Sequence, residues 1–304
     1  MEDPVSNRLD RRFVGLFSVY AGDQAPALFE SLWTMLRNQT QPLDWTVGVI
    51  EGDLTPDLED VIGHFTEVAW TRIPKVNNKM NFGLPLALNH GLSLIAESDV
   101  VLKIDTDDLY PNNRVQRTLE AFAGNRELSL FGGQVEEWNK DYSDYVGSRA
   151  VPLDHEQIIK YGKRRNPFNG PTVAFSADLA KKLGGFSQVG ANEDYVLWAQ
   201  MIQSGAVVQN SPEVLAFMRG GPDLVVRRST ARTRRGELEA LRAIKKCGYF
   251  STPTYCLHVL AKQLVRRLPI ELNLYLYQYL RHRGVRPVPS VVARAAKASS
   301  EWQS

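Results

Sequence analysis

Between residues 13 and 123 the chain alternates apolar runs with amphipathic segments in units of about thirty residues, and this rhythm restricts the fold more than any other feature. The runs at 13–19 (Phe-Val-Gly-Leu-Phe-Ser-Val), 45–50, 67–73 and 99–104 read as buried strands. A helix is expected over 25–37, with Leu28, Leu32, Met35 and Leu36 on one face. A second opens at Thr55-Pro56-Asp57, where an N-cap, a first-turn proline and a dipole-matched acid coincide. Residues 83–97 form a third, carrying Leu84, Ala87, Leu88, Leu92 and Ile95, and residues 114–123 a fourth. Strand and helix in turn predict an α/β fold with a mostly parallel, Rossmann-like sheet flanked by helices.

Past residue 124 the rhythm loosens. A strand is expected at 128–133 and a short apolar run at 172–175, with an irregular, polar and aromatic stretch at 136–168 between them. Ser176 caps a helix that stops at Gly184-Gly185, and Asn192 caps another that begins at Glu193. Residues 1–224 thus read as one α/β domain, with one half at about 1–123 and the other at about 124–224.

The strand at 99–104 runs directly into Asp105-Thr106-Asp107-Asp108. Open α/β sheets bind ligands at the carboxyl ends of their strands. Carboxylates two residues apart suit a hard divalent cation and the phosphates it carries. A solvated acidic turn is the competing reading, and the remaining motifs must decide.

The net charge of +2 hides a strong asymmetry. From Val225 onward there are 16 basic residues and four acids, a net +12, which leaves −10 for residues 1–224. Basic helices are expected at 233–247 (Leu238, Leu241 and Ile244 inward), 253–268 and 270–283, the last with Tyr275, Tyr277 and Tyr279. Region 225–304 therefore reads as a basic helical extension. It suits an anionic membrane surface, or a solvated face packed on the catalytic domain or on a second copy in a homodimer. No nucleic-acid reader motif accompanies the charge. Two cysteines, no apolar leader at the N-terminus and no spanning run point to the cytoplasm. The five histidines have no metal-ligand spacing, and there is no GxGxxG, phosphate-binding P-loop or GxSxG.

Several short blocks occur in a fixed order: Ser18-Val19-Tyr20; Gln39-Thr40; Asn81, Gly83, Ala87, Asn89 and Gly91; Asp105-Thr-Asp-Asp108 with Pro111 and Arg114. Asn166-Pro-Phe-Asn169 with Thr172, Gly184-Gly-Phe186, and Glu193-Asp-Tyr195 with Leu197-Trp198 complete the series. Over about residues 12–220 this pattern resembles the inverting family 2 glycosyltransferases of the GT-A, nucleotide-diphospho-sugar transferase fold. Within that family it is most similar to bacterial enzymes that extend lipid-linked sugars for O-antigen or capsule.

The resemblance implies a UDP-sugar donor, with galactose or glucose as the hexose, an undecaprenyl-diphosphate-linked acceptor, and Mn²⁺ or Mg²⁺. It implies a metal on Asp107, with Asp105 nearer the ribose or on the metal through water, and Asp108 in support. Donor contacts would come from Ser18, Tyr20, Glu51, Asn81, Gly83, Asn89, Asp105 and Asp107. Asp194 would be the catalytic base, with Glu193 orienting beside it, and Asn169, Thr172 and Trp198 would form the acceptor pocket. The expected location is cytoplasmic, peripheral on the inner face of the membrane. Two departures stand out: Glu51 where the family has Asp, and Gly170 where it commonly has His. A nucleotidyltransferase on a similar sheet would want a basic glycine-rich loop where Tyr20-Ala-Gly-Asp23 stands. A non-catalytic nucleotide-sugar-binding or scaffold protein would have no need of Asp105, Asp107 and Asp194.

Overall fold

A computed structural model describes residues 11–74, 83–220, 231–265 and 287–303. The first half follows the alternation in the sequence: β1 (Phe13–Tyr20), α1 (Ala25–Leu32), β2 (Trp45–Glu51), α2 (Pro56–His64), β3 (Ala69–Ile73), α3 (Gly83–Leu94), β4 (Val100–Lys103) and α4 (Arg114–Gly124). The second half adds β5 (Leu128–Trp138), β6 (Tyr145–Arg149), α5 (His155–Gly162), β7 (Ala174–Ser176), α6 (Ala177–Lys182), α7 (Glu193–Gln203) and β8 (Val207–Arg219). Three helices follow: α8 (Ala231–Lys246), α9 (Thr252–Val265) and α10 (Ser290–Gln303).

The eight strands form one sheet in the order β3-β2-β1-β4-β7-β5-β6, with β8 also paired to β5. From β3 to β4 all pairings are parallel; β7 and β6 then enter antiparallel, and β8 runs parallel to β5. β1 shows why it belongs in the middle. Val14 and Leu16 join one core, with α3 and α7, while Phe13, Phe17 and Val19 join another, with α1, α2 and α4. A strand buried on both faces needs apolar residues at every position, which is what this run supplies.

The sequence expectations are met through α4, with two local changes, the first being that Thr55 stands at the N-cap position of α2 without a side-chain capping bond. The helix expected over 25–37 is α-helical only to Leu32 and continues as a π turn, Trp33–Arg37, closed by Asn38 N–H donating to the Trp33 carbonyl at 3.0 Å. The stretch at 136–168, expected to be irregular, holds the end of β5, all of β6 and α5. β8 and α10 were not anticipated either. β8 contains Asn210, Ser211 and Pro212 and pairs through register shifts, so its residues show no period of two. Ser176 caps α6 as expected, its hydroxyl accepting from Leu179 N–H at 3.4 Å. Asn192 does not cap α7 through its side chain: it adopts a left-handed conformation (φ 60°) and makes no capping bond. The expected helix at 270–283 and its three tyrosines lie outside the described residues.

α8 docks on α7 through Ala240, Leu241 and Ile244, with Leu238 packed at the margin. α10 returns to the opposite side of the sheet and packs against α1, where Trp302 stacks on Phe29 with 5.0 Å between ring centroids.

Candidate functional site

The parallel strands end along one edge, and β1, β2 and β4 deliver Tyr20, Glu51 and the acidic turn there. Register places Tyr20 beside Glu51, and Ser18, half-buried, beside Val49. Tyr20 is 52% exposed at the tip of its strand. The Glu51 carboxylate lies against the α-carbon of Gly83, the first residue of α3: a Cβ built on Gly83 would fall 1.8 Å from Glu51 Oε2. The absent side chain is therefore what admits the carboxylate to the mouth of this helix, whose positive dipole end favours anions. Asn81, expected to bind donor, lies outside the described residues.

The acidic turn is held from behind by Arg219 and Tyr110, which the sequence reading did not single out, and by Arg114, which it placed in the same block. Arg219, the last residue of β8, donates from its backbone N–H to Asp108 Oδ1 (2.9 Å) and from Nε to the Asp107 carbonyl (3.0 Å). The same guanidinium pairs with Glu30 at 3.0 Å. The Tyr110 hydroxyl, fully buried, meets both the Asp105 N–H (2.7 Å) and its carbonyl (2.9 Å). Arg114 lies buried over the Tyr110 ring and donates to the Lys103 carbonyl at 2.6 Å. With its backbone so braced, the turn leaves Asp107 exposed and Asp105 half-buried.

Negative charge accumulates here. Burial pushes the Asp108 carboxyl well above the usual carboxylate range, and the charges of Asp107 and Asp105 push it further. Asp23 responds in the same way: burial raises it to about 7, the Tyr20 N–H opposing and the charge of Asp107 adding. A divalent cation would relieve this repulsion. Hard carboxylate oxygens on Asp107 and Asp105 fit Mn²⁺ or Mg²⁺. No group of three or more His, Cys, Asp or Glu suited to hold a metal ion occurs among the described residues. One or two carboxylates plus substrate phosphates are the usual Mg²⁺ arrangement, so the residues present fit a metal carried with a diphosphate.

Across from this turn, α7 begins with Glu193 and Asp194. Asp194 Oδ1 accepts from the Tyr195 N–H (2.6 Å) and Oδ2 from Asn166 Nδ2 (3.2 Å). Gly170 leaves open the space between the two acidic sites: a Cβ there would lie 3.3 Å from Asp194 Oδ2, 3.9 Å from Asp105 Oδ2 and 4.0 Å from Lys103 Nζ. Lys103 is buried and ion-paired with Asp105. Burial works against its ammonium, yet the Asp105 carboxylate, with Asp194 and Glu193 behind, holds its pKa above the ordinary lysine value. Burial likewise raises the Asp194 pKa, opposed chiefly by the charge of Lys103. Glu193 is pushed up to about 7, by burial first and then by the charge of Asp194.

The expected acceptor residues are placed differently. Asn169 and Thr172 are buried and occupied with the backbone: Asn169 Nδ2 donates to the Gly133 carbonyl (2.8 Å) and the Arg149 carbonyl (3.1 Å), and Thr172 Oγ1 accepts from the Gly133 N–H (3.0 Å). They set the shape of the loop that carries Gly170. Trp198 is a correction. It is fully buried between Phe168, Phe175 and Phe186, because its position faces the sheet, and it offers no surface to a sugar. Asn89 also binds protein, its amide pairing with both the Phe186 N–H (2.7 Å) and carbonyl (2.8 Å). It clamps α3 to the Gly184-Gly185 turn, where both glycines adopt positive φ.

Residues 23–181 match the family described as glycosyl transferase family 2. An uncharacterized glycosyltransferase of Haemophilus influenzae is 35% identical over 71% of this chain and 79% of its own length. The chain belongs to glycosyltransferase family 2. The UDP-Gal:alpha-D-GlcNAc-diphosphoundecaprenol beta-1,3-galactosyltransferase of Escherichia coli is 28% identical to this family member over 88% of the chain and 95% of the relative. Among solved structures, a mannosyltransferase of Pyrobaculum calidifontis in complex with GDP-Man and Mn²⁺ superposes with a TM-score of 0.52 at 17% identity, covering 96% of this chain and 87% of that one. The TarS 1–349 structure from S. aureus with UDP gives a TM-score of 0.53 at 16% identity, covering 78% and 65%. At such identities the likeness shows the shared GT-A fold.

Lys103, Arg219 and Asp23 also border this candidate site and were not singled out from the sequence, while Asn166 was visible only as part of its block, with no role attached. Lys103 carried a signal of its own, a lysine inside an otherwise apolar strand two residues before Asp105. Arg219 comes from a strand that the sequence does not announce, 112 residues from the turn it supports.

Proposed function

We propose that this family 2 glycosyltransferase moves a hexose, galactose or glucose, from a UDP-sugar to an undecaprenyl-diphosphate-linked saccharide, with inversion at the anomeric carbon, in O-antigen or capsule assembly. The observation that carries the reading is the convergence of Asp105, Lys103 and Asp194 around Gly170. It supports a donor on the acidic-turn side and an acceptor hydroxyl on the Asp194 side of one small space. Single displacement requires that arrangement: a carboxylate takes the hydroxyl proton as the oxygen attacks opposite the departing diphosphate. Asn166 fixes one oxygen of Asp194, and Lys103 favours its ionised, proton-accepting form.

On the donor side, Glu51 suits an N–H of the base or a ribose hydroxyl, and the start of α3 favours the diphosphate. Asp107 and Asp105 would hold Mn²⁺ or Mg²⁺, which supplies Lewis-acid stabilisation of the leaving group. The E. coli relative, which spans nearly the same length, favours UDP-galactose and a lipid-diphosphate GlcNAc as the first pair to test. With such an acceptor the enzyme works at the cytoplasmic membrane surface, the basic C-terminal region facing anionic lipid.

The test is transfer by the purified protein from UDP-Gal and UDP-Glc to a synthetic GlcNAc-diphosphate-lipid with Mn²⁺, read by mass and by the anomeric configuration of the product. Asp194→Asn is expected to retain UDP binding and lose transfer by 10³-fold or more, about 4 kcal/mol of barrier. A retained anomeric configuration, or full activity in that variant, would overturn the assignment.

A further inference from the structure

α9 packs Tyr255 and Val259 against the core, yet its outer side is apolar as well. Its inner side is partly polar: His258 stacks on Phe250 (4.7 Å between centroids) with Nε2 2.9 Å from the Lys163 carbonyl, and Lys262 pairs with Glu237 at 3.1 Å. Its outer side carries Pro253, Cys256, Leu257, Leu260, Ala261 and Leu264, all exposed. Leu257 is 67% exposed, and Leu260 and Leu264 are each 54% exposed. These positions recur at three and four residues, so they form one stripe along the helix, and it holds no charge. A contiguous apolar row facing water marks a surface that meets a partner.

We propose that this face of α9 lies on an anionic lipid bilayer and holds the acceptor side of the enzyme against it. Three features select the bilayer as occupant. Along its described length, Thr252–Val265, the helix has an apolar outer side and an inner side that bears His258 and Lys262, a division suited to lying in the interface, and none of the described helices is long and apolar enough to cross. Positive charge that matches anionic headgroups is carried by the segment on which α9 packs and by the C-terminal region. Arg164 and Arg165, exposed and without an ion pair among the described residues, follow the Lys163 whose carbonyl His258 meets, and the region from Val225 is strongly basic. The same run leads into Asn166, which holds Asp194, so the lipid contact and the acceptor side are joined by three residues. The inference rests on the lipid-linked acceptor proposed above.

The test is co-sedimentation of the full-length protein with vesicles of phosphatidylethanolamine and phosphatidylglycerol, scored as bound protein without turnover, so that the result stands whatever the acceptor proves to be. Leu257→Asp/Leu260→Asp/Leu264→Asp is expected to lower vesicle partitioning at least tenfold and to leave UDP affinity unchanged. Arg164→Gln/Arg165→Gln should weaken partitioning severalfold on these vesicles and not on phosphatidylcholine. A nitroxide on Cys256, with Cys247→Ser, reads the same contact with the three leucines in place: adding vesicles should raise its exposure to oxygen. Undiminished partitioning of the leucine variant, or a nitroxide indifferent to vesicles, overturns the proposal. So does a wild-type dimer that the leucine variant splits with vesicle binding intact, since a second copy would then be the occupant.

Discussion

Replacing Gly83 with alanine should separate stability from donor binding in a single step. Gly83 is the first residue of α3 and its φ is outside the left-handed region, so alanine fits the backbone. By restricting the unfolded chain, the change should stabilise by roughly 0.4–1 kcal/mol if nothing else moved. The new Cβ, however, would lie 1.8 Å from Glu51 Oε2. Favourable heavy-atom separations begin near 3.5 Å, so the carboxylate must retreat by about 1.5–2 Å. Glu51 ends a side chain that can swing, and the retreat costs the fold little. It does cost the site, because a displacement of about 1 Å in a positioned group can lower activity by up to ~10²-fold. The expected outcome is a UDP-sugar KM raised ten- to a hundredfold, with thermal unfolding unchanged or slightly higher. Glu51→Ala should reproduce the KM defect without the gain in stability. Titration calorimetry with UDP and steady-state transfer would check both. A Gly83→Ala protein with wild-type UDP affinity would refute the argument that Glu51 serves the donor.

Asp107→Asn should abolish Mn²⁺-dependent transfer while leaving the melting temperature without metal near wild type, since its side chain is exposed; chelation should inactivate the wild type and added Mn²⁺ restore it. The kcat/KM profile should lose activity as pH falls at values above the ordinary carboxylate range, because burial raises the Asp194 pKa and only its ionised form accepts a proton. Lys103→Met should move that limb further toward alkaline pH. Glu193 binds its proton more tightly folded than unfolded, so its contribution to stability is full below about 4.5 and is lost as pH rises to about 7; Glu193→Gln should flatten the unfolding profile across that window. Asn89→Ala leaves the Phe186 N–H and carbonyl without partners, and calorimetry should record a loss of about 1–3 kcal/mol.

The first half of the molecule was legible because β1, β2 and β4 are buried on two faces and each helix on one, with the half-buried edge strand β3 found from its place in the alternation. Apolar runs and 3.6-residue stripes therefore appear directly in the sequence, and the acidic turn falls where a strand must end. β6 and β8 were not legible, since one is only partly buried and the other is broken by Pro212 and bulged pairing. Arg219 was hidden for the same reason. The blocks around Asn89, Asn169 and Trp198 were visible as motifs, but a motif does not state whether a polar or aromatic group faces a ligand or the protein. Asn89 and Asn169 prove to serve the backbone and Trp198 the core, because each side chain is directed inward by its element. Lys103 and Asp194 are 91 residues apart, and only the loop carrying Gly170 brings them to one place.

The stacking of Trp302 on Phe29 bears on how the chain matures. Synthesis runs from the N-terminus, so β1 to α4 can pair and pack long before residues 290–303 exist. Until then one flank of α1 lacks its last apolar neighbour, and the nascent chain presents that strip to whatever is nearby. Completion of that flank is thereby tied to the synthesis of residues 290–303. A product that stops early, or a bulky fusion that keeps α10 from docking, should be captured by chaperones through the half that was made first.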